Sequence, residues 1–125
     1  MACRFSELVV DCRDPDTLAA FWAAVLDYRV LSREDGEVEI GSEAGSGGAA
    51  PTLVFGRVPD PTPGKVRLHI DLNATDRDQE AELDRLLQLG ARPADVGQTG
   101  DEGWHVLQDP EGNQFCLLHR RLDPL

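Results

Sequence analysis

The sequence predicts an α+β fold: two βαβββ modules in a pseudo-twofold repeat, forming a concave mixed sheet that encloses a cleft. Three observations predict it. A strand leading into an aspartate-capped amphipathic helix occurs twice, Leu8–Asp11 through Asp14 into Leu18–Leu26 and Ile70–Leu72 through Asp76 into Leu83–Leu89, with the two aspartates 62 positions apart. Each helix is followed by short apolar runs separated by turn residues, as strands require. Pro59, Pro61, Pro63 and Gly64 then make a stiff, irregular connection between the copies. A four-stranded sheet with one helix leaves its other face in need of cover, so two such sheets, or two chains in a homodimer, are expected to enclose a cleft. The expected layout is a single domain over residues 1–125, with modules at 1–58 and 66–120 and a linker at 59–65.

Phe5–Asp11 reads as the first strand, with Leu8, Val9 and Val10 at its centre. Asp14 is a good N-cap, and Pro15 suits the first helical position, where its missing N–H has no partner to lose. Leu18, Phe21, Trp22, Val25 and Leu26 share one helical face, so Trp22 is expected in the core beside Phe21. Arg29–Arg33 and Glu37–Ile40 form a hairpin whose turn is supplied by Asp35-Gly36. Gly41–Pro51, rich in Gly, Ser and Ala, is expected to be a mobile loop. Thr52–Val58 closes the first module.

Val66–Leu72 opens the second. Asp76 with Gln79 matches a capping box, Leu83, Leu86 and Leu87 are expected to be buried, and Gly90 stops the helix. Arg92–Val96 is a short strand, followed by a turn through Gly97, Gly100 and Gly103. Trp104–Gln108 and Gln114–His119 form the last hairpin across Asp109-Pro110-Glu111-Gly112, a tetrapeptide with type I turn chemistry.

A chain of 125 residues can bury a real core, and its composition of 41% hydrophobic and 28% charged residues is that of a globular protein. The net charge of −11 argues against nucleic acid and anionic membrane as partners and favours a cationic ligand over an anionic one; solubility alone also accounts for it. Cys3, Cys12 and Cys116 are odd in number and lack C-x-x-C spacing, so thiols in a reducing cytoplasm are expected, with neither a disulfide framework nor a structural zinc site. No apolar run approaches a membrane span, and no serine-nucleophile or phosphate-loop motif is present.

Three stretches carry a family resemblance: Val10-Asp11-Cys12-Arg13-Asp14-Pro15 with Phe21-Trp22, then Arg67-Leu68-His69-Ile70-Asp71-Leu72, and last Asp109-Pro110-Glu111-Gly112-Asn113-Gln114-Phe115-Cys116. Together they resemble the vicinal oxygen chelate superfamily of glyoxalase I, extradiol dioxygenases and bleomycin-resistance proteins, and most of all its actinobacterial glyoxalase-like branch. The resemblance implies a divalent ion held by four ligands, one from the first and one from the last strand of each module. His69 stands where such a histidine is found. Glu7 takes the equivalent first-module position. Val54, Phe55 and Gly56 offer no metal-binding side chain near the third, and Cys116 stands where a glutamate is usual. A zinc site of Glu7, His69 and Cys116 is chemically allowed, but the expectation is no metal and no other cofactor.

The residues expected to act are therefore Glu7 and His69, as a pair for proton transfer or as polar walls of the cleft, with Phe55, Trp104 and Cys116 as further ligand contacts. The bland alternatives are an outward edge position for Glu7, a structural histidine at His69, packing for Trp104, and a small buried hydrophobe at Cys116. The function expected is binding of a small organic molecule, cationic or neutral, in the cleft without the superfamily's metal. The alternative is a metal-dependent lyase, isomerase or dioxygenase acting on vicinal oxygens.

Overall fold

A computed structural model of the chain describes residues 2–62, 67–95 and 102–124. The chain divides into two compact units, Met1–Pro61 and Thr62–Leu125. Each holds one four-stranded mixed sheet and one helix, so the α+β class and the two-module repeat are what the structure shows.

The first unit runs β1 (Glu7–Cys12), α1 (Pro15–Leu26), β2 (Arg29–Glu34), β3 (Glu37–Gly41) and β4 (Thr52–Arg57), with spatial order β1-β4-β3-β2. β1 and β4 are parallel, and the other two pairs are antiparallel. α1 forms as expected: the Asp14 carboxylate accepts the Thr17 amide at 3.2 Å and the Thr17 hydroxyl at 2.6 Å, and Pro15 begins the helix. Leu18, Phe21, Trp22 and Val25 are buried, and the Phe21 and Trp22 rings meet edge to face at 5.3 Å. The β2–β3 turn has positive φ at Asp35 (52°) and Gly36 (78°), the two-residue geometry that suits the right-handed strand twist. Residues 42–51 are a run of turns tied down from outside: Arg4 donates to the Gly47 and Gly48 carbonyls, Arg29 to Glu43, and the Tyr28 hydroxyl to Pro51.

The second unit repeats the order with β5 (Ile70–Leu72), α2 (Gln79–Leu89), β6 (Arg92–Pro93), β7 (His105–Gln108) and β8 (Gln114–Leu117), arranged β5-β8-β7-β6. Three expectations change here. β5 is shorter than expected, because its parallel ladder spans only Ile70↔Phe115 to Leu72↔Leu117; residues 63–66 lie outside the described residues. β6 ends at Pro93, whose nitrogen has no hydrogen to give a ladder, and Val96, Gly97 and Gly100 also lie outside the described residues. The α2 cap is Asp78, whose carboxylate accepts the Ala81 amide at 2.8 Å; Asp76 turns to the Arg77 guanidinium instead, at 3.3 Å.

The buried face of α2 is also rotated from the one expected. Leu86 is buried, but Leu87 is 38% exposed, and Glu82 is buried beside Arg85. Gly90 ends the helix at φ 122°, its amide reaching the Leu86 and Leu87 carbonyls. No helix among the described residues is long and apolar enough to cross a membrane.

Candidate functional site

Strand alternation sorts each sheet into a helix side and a helix-free side. In the second unit Phe115 and Leu117 are fully buried on the helix side, in register with Ile70 and Leu72. Cys116 and Asp71, paired across β8 and β5, therefore project from the other face, and His69 joins them two residues before Asp71. Cys116 is only half-buried, not the small buried hydrophobe of the bland alternative, because its neighbours on both sides take the core positions.

His69 Nε2 lies 3.1 Å from Asp71 Oδ1, with both side chains about half exposed. One ligand atom from each of His69, Asp71 and Cys116 falls within 4.8 Å of the others, so imidazole, carboxylate and thiol converge on one point of the sheet. Asp71 is not among the residues the sequence analysis expects to act. Its signal was available: two residues after His69 in a strand means the same face.

β7 completes this face with Val106 opposite Cys116 and Gln108 opposite Gln114, all half-buried. The β7–β8 turn that fixes this register is organised by Asp109, which is 1% exposed. Its carboxylate accepts the amides of Glu111 and Asn113 and the Asn113 side-chain amide, while the Gly112 amide bonds the Asp109 carbonyl at 2.9 Å and Gly112 takes φ 86°.

A second polar group gathers at the N-terminus of α2. His105 Nε2 lies 3.2 Å from Glu80 Oε1, and the Gln79 amide donates to the Gly103 carbonyl at 2.8 Å and the Leu117 carbonyl at 3.3 Å. Gln79 thus fastens α2 to the β7–β8 hairpin in place of closing a capping box. Trp104, next to this group, is 47% exposed, so it is a surface ring and not a packed one.

In the first unit Glu7, Val9 and Asp11 occupy the helix-free face and are exposed. Glu7 is in register with Thr52, whose hydroxyl donates to Glu39 Oε2 at 2.8 Å. The side chains of β4 on this face are Thr52 and Val54. Phe55 points the other way and is fully buried, in register with Val10 and Val38, so its expected role as a ligand contact is corrected to core packing.

Hydrogen bonds from Thr17 hold the Asp14 carboxyl below the usual range, the Arg77 guanidinium does the same for Asp76, and burial pushes the Tyr28 phenol up. An open cavity of about 480 Å³ in the first unit is lined by Arg13, Asp35, Gly36, Arg57, Val58 and Pro59. It contains none of the convergent residues, and its two guanidinium groups suit an anion, so the grouping on the second sheet is the better candidate site.

Residues 7–118 match the glyoxalase-like domain family. A search of functionally curated proteins found no match. Among solved structures, the fosfomycin resistance protein FosX from Mesorhizobium loti is similar at 16% identity, over 98% of this chain and 96% of that one, with a TM-score of 0.69. A variant of the FosX from Listeria monocytogenes, complexed with manganese(II) and a dihydroxypropylphosphonic acid, aligns at 15% identity over 94% and 90% of the two chains, with a TM-score of 0.70. TnmS3, an antibiotic-binding protein from Streptomyces sp. CB03234, aligns at 19% identity over 94% and 96%, with a TM-score of 0.63. At these identities the likeness is one of fold.

Proposed function

The chain belongs to the glyoxalase-like domain family, and on that premise we propose that it binds a small, basic organic molecule on the helix-free face of its second sheet, without a hard divalent ion. The observation that carries this reading is the exposed His69–Asp71 pair at 3.1 Å. A carboxylate oriented by an imidazole is an acceptor suited to an ammonium or guanidinium donor. Half-buried Val106 and the thiol of Cys116 add apolar area beside it. The net charge of −11 draws such a ligand towards the protein. TnmS3, of the same fold, is an antibiotic-binding protein, which makes a natural-product ligand the first class to try.

The manganese(II) of the Listeria protein does not carry over. Hard ions of that kind take carboxylate, carbonyl and water oxygens or imidazole, whereas the donor set here includes a thiol, and Val54 stands on β4 of the first unit where no side chain can ligate. Glu7 stays in the proposal as a polar group on the helix-free face of the first unit, with a role in binding or proton transfer. Assembly as a homodimer belongs to the same proposal, supported by the exposed apolar side chains of Phe5 (65%) and Val9 (53%), and sedimentation velocity reads it.

Calorimetry against a panel of cationic glycopeptides and other basic natural products, with chelator present, tests the reading. Saturable binding weakened roughly tenfold by Asp71→Asn, the worth of one charge-assisted hydrogen bond, supports it. Absence of binding across the panel counts against it. The second reading, a metal-dependent lyase, isomerase or dioxygenase, is favoured by the convergence of three donor groups at this one place.

A further inference from the structure

We infer that His69, Asp71 and Cys116 form a thiolate-bearing site for a zinc-class divalent ion, built wholly within the second unit. The donor set is chemically specific: one imidazole nitrogen, one carboxylate oxygen and one thiol sulfur, all within 4.8 Å of one another. A tetrahedral zinc ion with N, O and S ligands sets its donors about 3.3–3.6 Å apart, from the usual bond lengths. His69 Nε2 and Asp71 Oδ1, at 3.1 Å, are slightly closer than that spacing and need only open a little. Drawing the three donors from 4.8 Å to that spacing takes about 1 Å, within reach of side-chain rotation.

A regular parallel ladder holds Asp71 and Cys116, and His69 stands just ahead of it. His69 and Asp71 are two residues apart on one face, and Asp71 is the register partner of Cys116 on the adjacent parallel strand. Each is reachable from solvent, the first two about half exposed and the third half-buried. Three protein donors leave a fourth tetrahedral position open for water or a ligand.

This site departs from a hard-ion centre that draws ligands from both modules. Thiolate selects zinc over manganese or magnesium, and binding releases the thiol proton to solvent as the sulfur–metal bond forms. The inference uses the same His69 and Asp71 as the ligand-binding reading, so an ion and a basic ligand compete for one carboxylate, and titration with metal and calorimetry in chelator read the two separately.

Metal-free full-length protein titrated with zinc(II) and, separately, with cobalt(II) tests it. The wild type is expected to take up one ion per chain, and its cobalt form to show thiolate-to-cobalt charge transfer in the near ultraviolet with the intense visible bands of a tetrahedral ion. Cys116→Ser is expected to abolish the charge-transfer band, while Cys3→Ser, at an exposed cysteine elsewhere, retains it. Asp71→Asn, an isosteric change at an exposed position, is expected to weaken zinc binding on the order of 100-fold with an unchanged circular dichroism spectrum. It answers the question even where the serine variant fails to fold. A wild type without the charge-transfer band, a band that survives in Cys116→Ser, or an Asp71→Asn protein binding zinc like the wild type would each overturn the inference. None of these outcomes touches calorimetry performed in chelator, so the two proposals fail separately.

Discussion

Removing the Asp109 carboxylate tests how the candidate site is held in register. The group is 1% exposed and accepts the Glu111 amide at 2.9 Å, the Asn113 amide at 3.0 Å and the Asn113 side-chain amide at 2.9 and 3.1 Å. Asp109→Ala leaves three donors without that acceptor. Hydrogen bonds to a charged group contribute about 1.5–3 kcal/mol each, but Glu111 and Asn113 are half-buried and water can reach part of the vacated space. Relief of carboxylate desolvation offsets a further part, so the net loss is about 3 kcal/mol. For a chain of 125 residues this lowers the melting temperature by roughly 10 °C. Asp109→Asn keeps one oxygen for the two backbone amides and sets its NH2 against Asn113, for a loss of about 1–2 kcal/mol. Thermal and urea unfolding followed by circular dichroism measure both. A loss under about 1 kcal/mol for alanine, or equal losses for the two variants, would refute the reasoning that this carboxylate organises the hairpin.

Three further perturbations probe the frame around the site. Gly41→Ala places a methyl group 2.7 Å from Leu31 Cδ1 and 2.9 Å from Thr52 Cγ2, so it should cost about 1–2 kcal/mol in urea unfolding. Asp78→Ala should cost about 1 kcal/mol as the loss of the α2 cap, whereas Asp76→Ala, whose partner is the exposed Arg77, should change the urea midpoint much less. Asp14 and Asp76 have folded-state acidities shifted below the ordinary value of 3.8; their stabilisation is present above that pH and is lost as pH falls through the lowered values. The acid limb of the unfolding curve should therefore be shallower in Asp14→Asn, and an unchanged limb would contradict the cap's electrostatic role.

Local periodicity made most of the fold legible. Asp14-Pro15 and the spacing of Leu18, Phe21, Trp22 and Val25 specify α1 without tertiary help, and Asp35-Gly36 and Asp109 to Gly112 specify their turns. The misreadings arose where two residues offered the same chemistry. Asp76 and Asp78 are both capping residues, and only the observed chain direction decides that Asp78 reaches the Ala81 amide. Leu87 and Glu82 exchange roles on α2 because Glu82 finds Arg85 one turn on. Parity decided the site residues. A strand such as Thr52–Arg57, buried at five positions in succession, hides which side chains face the helix. Phe55, expected as a ligand contact, belongs to the core. β8, with Phe115 and Leu117 buried around Cys116, carries the clear alternation from which Cys116 and its neighbour Asp71 can be placed.

The face that carries His69 is the proposed ligand site. Isothermal calorimetry in chelator, comparing the wild type with His69→Ala against basic natural products, tests it. A ligand is expected to bind the wild type and to be held about tenfold or more weakly once the imidazole is gone. A ligand bound equally well by both proteins would contradict it.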